Sequence, residues 1–420
     1  MPKASIVIPC YNAERFVRDT VASAQAQTIA DIKIICVDDG STDQTLAVLE
    51  ELAAGDDRIQ VISQENGGEG PARDAGLRAA TGEWLYFLDA DDLMLPNLLE
   101  RAISRGQQTE ADIVVFRTIM LDDQTAEQYV CDWSFKRDWV DEDVFCPREH
   151  PNHVFNSFQN WVHNKLFRGS FVRKHNLHMQ QVHRTADLLF TCRALAEANL
   201  IALLDEPLYQ YRVNNAESAM ATSDSYPLDF YDGFVALKDS LVENQTWNLY
   251  HDSFVNWAIE GIAVNLRVTR SYEGFCTIVK KLWQEGFAEL DIADFPRSKS
   301  DMAYYYDQIR PLVEGSVEES LFRIAKSFQG EQATTATIAS NERMNVRRLE
   351  GDIARLEENL AHERNVIADR DCRIAEIEGE LASVREDFYN VTGSWSFKIG
   401  RAVTAIPRGL FHTLRHLRSR

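Results

Sequence analysis

The sequence predicts an α/β fold with a Rossmann-like, mostly parallel sheet, followed by a helical subdomain and a C-terminal coiled coil. Strand-like apolar runs alternate with helical segments over the first part of the chain. Aromatic-rich helical patterns come next, and then a heptad repeat. The expected boundaries are 1–225 for the α/β domain, 226–328 for the helical subdomain, 329–342 for a linker, 343–388 for the coiled coil and 393–420 for a basic amphipathic tail.

Five short apolar runs are the predicted strands of the sheet. They are Ser5–Pro9, Ile32–Val37, Ile59–Ile62, Trp84–Leu88 and Ile113–Phe116. Polar residues after the first two runs can cap the helices that follow, and we expect Asn12, and Ser41 or Thr42, to do so. Ligands of such sheets bind at the carboxyl ends of the strands, so the site is expected there.

Two apolar seams at heptad spacing predict the coiled coil. Glu363 and Arg370 interrupt the second seam, and a helix folded back onto the rest of the protein is the alternative interpretation. The seams are Val346, Ile353, Leu360, Ile367, Ile374 and Leu381, and Leu349, Leu356, Glu363, Arg370, Ile377 and Val384.

The tail over 393–420 carries six Lys or Arg residues and no acidic residue. Its apolar stripe includes Ile406, Leu410, Leu414 and Leu417, with basic residues elsewhere on the helical wheel. That pattern is typical of a helix lying on an anionic membrane surface. A solvated tail that docks on the acidic body of the protein is the alternative.

Composition narrows the classes of function. The formal net charge of −21 disfavours a nucleic-acid-binding surface. The seven cysteines are widely spaced, odd in number and form no C-x-x-C, so reduced thiols in a cytoplasmic protein are expected rather than a disulfide framework. No signal peptide fits the first residues, and no apolar run reaches the roughly 20 residues of a membrane span.

Carboxylates follow two of the predicted strands. Val37-Asp38-Asp39-Gly40-Ser41 follows the second strand, and Leu88-Asp89-Ala90-Asp91-Asp92 follows the fourth. A D-x-D triplet brings two carboxylates to one hard cation, and Mg²⁺ or Mn²⁺ suits such an oxygen site. The same spacing at Asp141–Asp143 and Asp369–Asp371 lacks a preceding apolar strand, so Asp89–Asp91 is the candidate.

A glycine-rich segment precedes a predicted helix. It runs Asn66-Gly67-Gly68-Glu69-Gly70-Pro71-Ala72-Arg73-Asp74-Ala75-Gly76, and its glycines allow close approach to an anion. It is not G-x-G-x-x-G after the first strand, and it lacks the P-loop lysine. A nicotinamide site and a P-loop site are therefore disfavoured.

Taken in order, these segments resemble family 2 glycosyltransferases with a GT-A fold. The set comprises Ser5–Asn12, Val37–Asp43, Asn66–Gly76 and Asp89–Asp92. Weaker matches follow at Asn164–Phe167, Asp187–Phe190 and Leu208–Arg212. The heptads, with Gly393–Phe397 and the basic end, also resemble tails of bacterial members that build surface polysaccharides.

The resemblance implies an inverting, metal-dependent enzyme that moves a sugar from a nucleotide diphosphate, by default a uridine one, to an acceptor hydroxyl. It implies a general base at Asp187, although the acidic residue that usually precedes it is Ala186 here. The implied binding residues are Pro9, Tyr11 and Asp39 for the nucleoside, Arg73 near the base or diphosphate, Asp89 for ribose or metal, and Asp91 for Mg²⁺ or Mn²⁺.

Two other classes of function compete with this one. A nucleotidyltransferase shares the sheet and the carboxylates, but it needs a glycine-rich basic loop where Cys10-Tyr11-Asn12 stands. A non-catalytic coiled-coil scaffold is the other, favoured only by Ala186. A zinc site in the histidine-rich stretch is disfavoured because no matching cysteine pair is present; the histidines are His150, His153, His163, His175, His178 and His183.

The expected partners follow from the resemblance and the C-terminal patterns. They are a nucleotide-sugar donor, a saccharide or lipid-linked saccharide acceptor, and a second copy of the chain through the coiled coil. The tail predicts peripheral contact with the inner face of the cell membrane. No nucleic acid is expected.

Overall fold

A computed structural model describes residues 1–214, 225–327, 329–330, 355, 361–362, 364–365 and 367–386. The chain divides after Ser327 into two units. The first unit holds the sheet and the helices that flank it.

The described residues of this unit form ten strands and the α-helices given below, and residues 317–327 are also helical. The strands are β1 Ala4–Cys10, β2 Ile32–Asp38, β3 Ile59–Ser63, β4 Trp84–Phe87, β5 Leu93–Met94, β6 Ile113–Asp122, β7 Gln128–Val130, β8 Val144–Phe145, β9 Lys165–Arg168 and β10 Ile201–Val213. The helices are α1 Val17–Gln25, α2 Thr45–Gly55, α3 Glu69–Ala79, α4 Leu98–Thr109, α5 Gly169–Lys174, α6 Asp187–Glu197, α7 Asp229–Glu243, α8 Trp247–Val268, α9 Tyr272–Lys281, α10 Phe287–Glu289 and α11 Ala303–Val313.

The strands form one mixed sheet in the order β3-β2-β1-β4-β9-β6-β10-β5. The pairs β3/β2, β2/β1, β1/β4 and β6/β10 are parallel, and β9 runs antiparallel to both of its neighbours. All five predicted strands are present, so the predicted GT-A-like, mostly parallel sheet is confirmed. The carboxyl ends of β2, β1 and β4 lie side by side, which brings the motifs that follow them to one edge of the sheet.

Alternating side chains of the central strands enter two separate cores. Val7 and Ile35 pack on one face against α3, α6, α7 and α8, and Ile6 and Ile34 pack on the other face against α1 and α4. This is the arrangement expected of a sheet covered by helices on both faces. The predicted helical region begins with α7 and packs against α6 in the first of these cores.

The predicted helix caps are wrong. Helix α1 begins at Val17, and Asn12 instead accepts a hydrogen bond from the Thr42 backbone N–H at 2.8 Å. Ser41 accepts one from the Asn12 N–H at 3.0 Å. These side chains tie the loop after β1 to the loop after β2, and so fix one border of the strand-end cleft.

In the second unit, residues 367–386 are helical and exposed. Five apolar side chains of the predicted seams lie on this helix, each about half exposed or more: Ile367, Ile374, Ile377, Leu381 and Val384. The earlier heptad positions from Val346 to Glu363 and the basic tail over 393–420 lie outside the described residues. Over the described part of the chain, no helix is both long and apolar enough to cross a membrane.

Candidate active site

The glycine-rich segment is held against the end of β2 by Asp39. The Asp39 carboxylate accepts hydrogen bonds from the backbone N–H groups of Gly67 and Gly68, at 3.0 and 2.8 Å, and from the Gln64 side chain at 2.7 Å. Asp39 is buried, and the two residues predicted to join it at the nucleoside are less so: Pro9 is half-buried and Tyr11 is exposed. All three lie at the carboxyl ends of β1 and β2.

Arg73 on α3 is a buried cation between two carboxylates. Its side chain is only 3% exposed, lies in ion-pair contact with Glu69, and donates to Asp89 at 2.6 Å. Burial opposes the charge of a guanidinium, but Glu69, Asp89 and Asp187 outweigh that effect and raise the pKa of Arg73. Arg73 therefore stays charged and links the glycine-rich helix start to the D-x-D triplet.

Asp89 is ionised within this network. Its second oxygen lies 3.2 Å from Nδ1 of His163, a buried residue just before β9. Burial tends to raise the pKa of Asp89, but Arg73 and His163 outweigh it and hold the pKa below its usual range. Burial lowers the pKa of His163, which makes the neutral ring the favoured form. The geometry then gives its Nδ1–H to Asp89 and leaves Nε2 as an acceptor.

A group of potential cation ligands lies at this edge of the sheet. Atoms of Asp89, Asp92 and His163 lie within 4.8 Å of one another, and His163 Nε2 is buried without a hydrogen-bond partner in the described part of the chain. Two carboxylates and a neutral imidazole fit Mn²⁺, and the carboxylates alone fit Mg²⁺. Asp91 is half-buried beside this group, and its backbone carbonyl accepts from Arg212 Nε at 2.7 Å.

Asp92 is a further acid that the sequence analysis left without a role. Its carboxyl group is buried and contacts the Tyr209 hydroxyl of β10, and it accepts from the Arg212 backbone N–H at 2.6 Å. Burial and the charges of Asp91 and Asp89 raise its pKa well above the usual range. Asp92 therefore ties the D-x-D loop to β10, on the side of the sheet away from β2.

Asp187 reaches the same cluster from α6, of which it is the first residue. Its carboxyl group accepts a hydrogen bond from the Val162 backbone and interacts electrostatically with Arg73, Asp89 and His163. Burial, aided by Asp89, raises the pKa of Asp187 against the opposing effect of Arg73. A carboxylate with a raised pKa is a stronger base than a solvated one, which suits proton abstraction.

Glu69 is a second carboxyl group beside Asp187 that sequence reasoning missed. Burial, with Asp187 and Asp89, raises the pKa of Glu69 to about 7 against the opposing effect of Arg73. The helix that carries it is pressed against the segment before α6, because a Cβ placed on Gly70 would lie 3.1 Å from the Cβ of Ala186 and would overlap the Gln180 carbonyl. Glu69 thus lies next to the position where the family pattern places an acid and this chain has Ala186.

Lys165 is a second missed residue. It is fully buried, and its ammonium donates to the carbonyls of Gln159 and Trp161 and to the Asn164 side chain, at 2.6, 2.9 and 2.7 Å. The sequence signal was the motif Asn164-Lys165-Leu166-Phe167, which resembled the family but suggested no role. Lys165 holds the loop that carries His163 into the site.

The histidine-rich stretch does not converge on one point. His150 lies beside Glu142, His153 beside Asp301 and His175 beside Glu197, each as a separate pair. His163 is the member that joins a group of three potential ligands among the described residues.

A family model connects this geometry with known proteins. The model for glycosyl transferase family 2 matches residues 5–175, which hold β1 to β9 and every motif of the cleft except Asp187 and Leu208–Arg212. Residues 5–175 of the chain therefore match a family 2 glycosyltransferase domain.

Two curated relatives match this domain and extend beyond it. EpsH of Bacillus subtilis, which has a provisional glycosyltransferase name, is 32% identical over 220 residues, or 51% of this chain and 61% of EpsH. The poly(ribitol-phosphate) beta-N-acetylglucosaminyltransferase TarS of Staphylococcus aureus is 24% identical over 236 residues, or 55% of this chain and 39% of TarS. The match thus spans about three fifths of EpsH and less of TarS.

A solved structure of S. aureus TarS in complex with UDP-GlcNAc has the same fold. The TM-score is 0.57 at 20% identity, over 78% of this chain and 92% of the TarS chain in that structure. The predicted GT-A-like fold is therefore confirmed beyond the family match, into the helices that follow the sheet.

Proposed function

We propose that the protein is an inverting glycosyltransferase that moves a sugar from a nucleoside diphosphate to an acceptor hydroxyl in the synthesis of a cell-surface polysaccharide or glycoconjugate. The observation that carries the proposal is the meeting of Asp187, a base with a raised pKa, with Arg73 and Asp89 at the strand ends of a family 2 glycosyltransferase domain. A UDP-sugar is the first donor to test, because TarS is solved with UDP-GlcNAc.

The donor would lie along the ends of β2, β1 and β4. Pro9, Tyr11 and Asp39 would contact the nucleoside, with Asp39 using the lone pairs that the glycine-rich segment leaves open. Asp89 would contact the ribose. Arg73, held by its ion pair with Asp89 and shielded from solvent, would supply positive charge near the diphosphate.

The reaction would be a single displacement. Asp187 would take the proton of the acceptor hydroxyl as its oxygen attacks the anomeric carbon, which inverts the configuration there. Asp91, with Asp89 next to it, would hold Mg²⁺ or Mn²⁺. Bound in this place, the cation would neutralise the charge that develops on the diphosphate leaving group. The Val162 hydrogen bond to Asp187 would keep its carboxylate aimed at the acceptor.

A donor panel tests the proposal directly. UDP-, GDP- and dTDP-sugars are incubated with the full chain and Mn²⁺ or Mg²⁺, and release of nucleoside diphosphate is measured with and without EDTA. Chelator-sensitive release from one donor supports the proposal. Formation of a nucleotide sugar from a sugar phosphate and a nucleoside triphosphate would indicate nucleotidyl transfer instead. No turnover of any donor, with no donor binding, would favour a scaffold.

We further propose that the heptads bring two or more copies together and that the tail holds them at the inner face of the cell membrane. Apolar seam residues such as Ile374 and Leu381 are about half exposed on the helix over 367–386, and a partner helix would bury them. The six basic residues over 393–420 would attract anionic lipid although the whole chain is acidic. This location would suit a lipid-linked acceptor.

A further inference from the structure

A row of aromatic rings extends from the surface to the candidate active site. The Trp133 and Trp161 rings meet edge to face at 5.5 Å, and Trp161 stacks with Tyr211 at 5.5 Å. His163 stacks with Tyr211 at 5.3 Å and with Tyr209 at 4.3 Å. The row therefore begins at Trp133, whose side chain is 52% exposed, and ends at His163, which contacts Asp89.

The exposed end of this row is held rigidly. Trp133 lies in a 3₁₀ turn, Asp132–Ser134, between Cys131 and Phe135, both of which are buried. The Ser134 hydroxyl donates to the Cys131 carbonyl at 2.7 Å, and the Cys131 N–H donates to the Thr118 carbonyl of β6 at 2.8 Å. A fixed backbone beneath an exposed indole leaves only the side-chain torsions to be ordered when a ligand binds, which favours a recognition role.

The inner part of the row lies beside the proposed base. Trp161 directly precedes Val162, whose backbone donates to Asp187, and the Trp161 carbonyl is held by Lys165 at 2.9 Å. Tyr211 lies within the electrostatic field of Asp92, Asp89 and Asp91. A ligand that stacks on Trp161 and Tyr211 would therefore place its adjoining part near Asp89, Asp91 and Asp92.

The order of the sheet separates this row from the nucleoside residues. Pro9, Tyr11 and Asp39 follow β1 and β2, on one side of β4. The row is carried by the segments around β9, β6 and β10, on the other side of β4. Asp89 follows β4 and lies between the two. A molecule that meets the donor sugar from the side opposite its nucleoside would therefore approach on the side of β4 that carries the row.

We propose that Trp133, Trp161 and Tyr211 form a stacking platform for a sugar ring of the acceptor. The apolar C–H face of a pyranose packs against an aromatic ring while its hydroxyls remain with polar groups, and aromatic walls with few polar groups are typical of small-molecule sites. Only the assignment of the bound sugar to the acceptor rests on the proposed function. Saccharide binding to the row is measured without any transfer.

The test is binding of disaccharides to the full chain in the presence of UDP and Mn²⁺. Cellobiose, lactose, chitobiose and maltose are titrated and followed by saturation-transfer NMR, and UDP affinity is measured separately. We expect Trp133→Ala to weaken binding of the disaccharide that the wild type prefers by about tenfold, and Trp133→Phe by less than about threefold. UDP affinity should stay within about twofold in both variants. Tyr272→Ala, which removes an 84% exposed ring on α9 outside the row, is the control and should change neither.

Three results would overturn the platform. The first is equal disaccharide affinity in the wild type and Trp133→Ala, and the second is a wild type that binds UDP and none of the four disaccharides. The third is a loss of UDP-sugar affinity in Trp133→Ala with unchanged disaccharide affinity, which would assign the row to the donor sugar. If disaccharide binding depends on Trp133 but no donor is turned over, the platform stands and the proposed transfer reaction fails.

Discussion

Replacing Lys165 by methionine tests whether one buried lysine holds the active-site loop. Methionine keeps most of the length and the apolar stem of lysine but removes all three donors. The carbonyls of Gln159 and Trp161 and the Asn164 side-chain oxygen would then lose their partner, because Lys165 is fully buried and donates to each of them within 2.9 Å.

The magnitude follows from the number of acceptors. A buried polar group left without a partner costs about 1–3 kcal/mol, so three set an upper range of about 3–9 kcal/mol. Shifts of the loop and entry of water that partly satisfies the three acceptors reduce this cost, and the loss of the charge adds little because burial lowers the pKa of Lys165 to about 7. We expect Lys165→Met to lower the free energy of unfolding by about 3–5 kcal/mol, a large part of the stability of a typical domain.

The control is Lys33→Met, because Lys33 on β2 is only half-buried and donates to a single acceptor, the Ala79 carbonyl at 3.1 Å. It should cost about 1 kcal/mol or less. Urea unfolding of the full chain, followed by tryptophan fluorescence, compares the two variants with the wild type. The same loop carries Trp161 and His163, so disaccharide affinity should fall in Lys165→Met and not in Lys33→Met. A Lys165→Met protein as stable as the control would refute the reasoning.

Four further outcomes are expected. Asp187→Asn should retain donor affinity and lose about 10²–10⁴-fold in turnover; normal turnover in this variant would contradict its role as the base. In the wild type, turnover should fall on acidification at a pH above the ordinary aspartate range, since the base must be deprotonated and its pKa is raised. Asp91→Ala should abolish chelator-sensitive donor turnover and leave the circular dichroism spectrum unchanged. Activity of the wild type that EDTA does not reduce would contradict the metal dependence. Sedimentation should show an oligomer for the full chain and a monomer for a chain ending at Ser340; equal monomeric masses would reject the coiled coil. Anionic but not neutral vesicles should bind the full chain, in a salt-sensitive way that is lost on truncation after Thr392; binding that survives truncation would make the tail a protein-docking element.

The fold was predictable where strands are continuous apolar runs. Strands β1 to β4 and the start of β6 are of this kind, and each is within one residue of its predicted start and end, except that β6 continues six residues further, to Asp122. β9 has only Leu166 and Phe167 as apolar residues, and β10 is interrupted by register shifts around Pro207. The apolar run of β9 is too short to predict a strand, whereas β10 begins with the apolar run Ile201–Leu204, which the prediction overlooked.

The site was predictable where its chemistry is local in sequence. The D-x-D triplet and the glycine-rich segment were visible because their residues are neighbours along the chain and follow strands. The Asn12 and Ser41 cap predictions failed because a short polar side chain satisfies whichever backbone group is nearest in space. Here that group belonged to the neighbouring strand-end loop, not to the next helix turn.

Ala186 and Glu69 show why a motif in one segment is not enough to judge a site. At position 186 the absence of an acid seemed to weaken the case for a base at Asp187. In the structure Ala186 is fully buried against Gly70, where a longer side chain would meet the first turn of α3. That close approach lets Glu69, one residue before Gly70, interact electrostatically with Asp187. Arg73 forms an ion pair with Glu69 and also interacts with Asp187. The short side chain at 186 thus allows the close packing of α3 that places Glu69 near Asp187. Since Ala186 lies 117 positions after Glu69 in the sequence, only the packing of α3 on the segment before α6 could reveal this proximity.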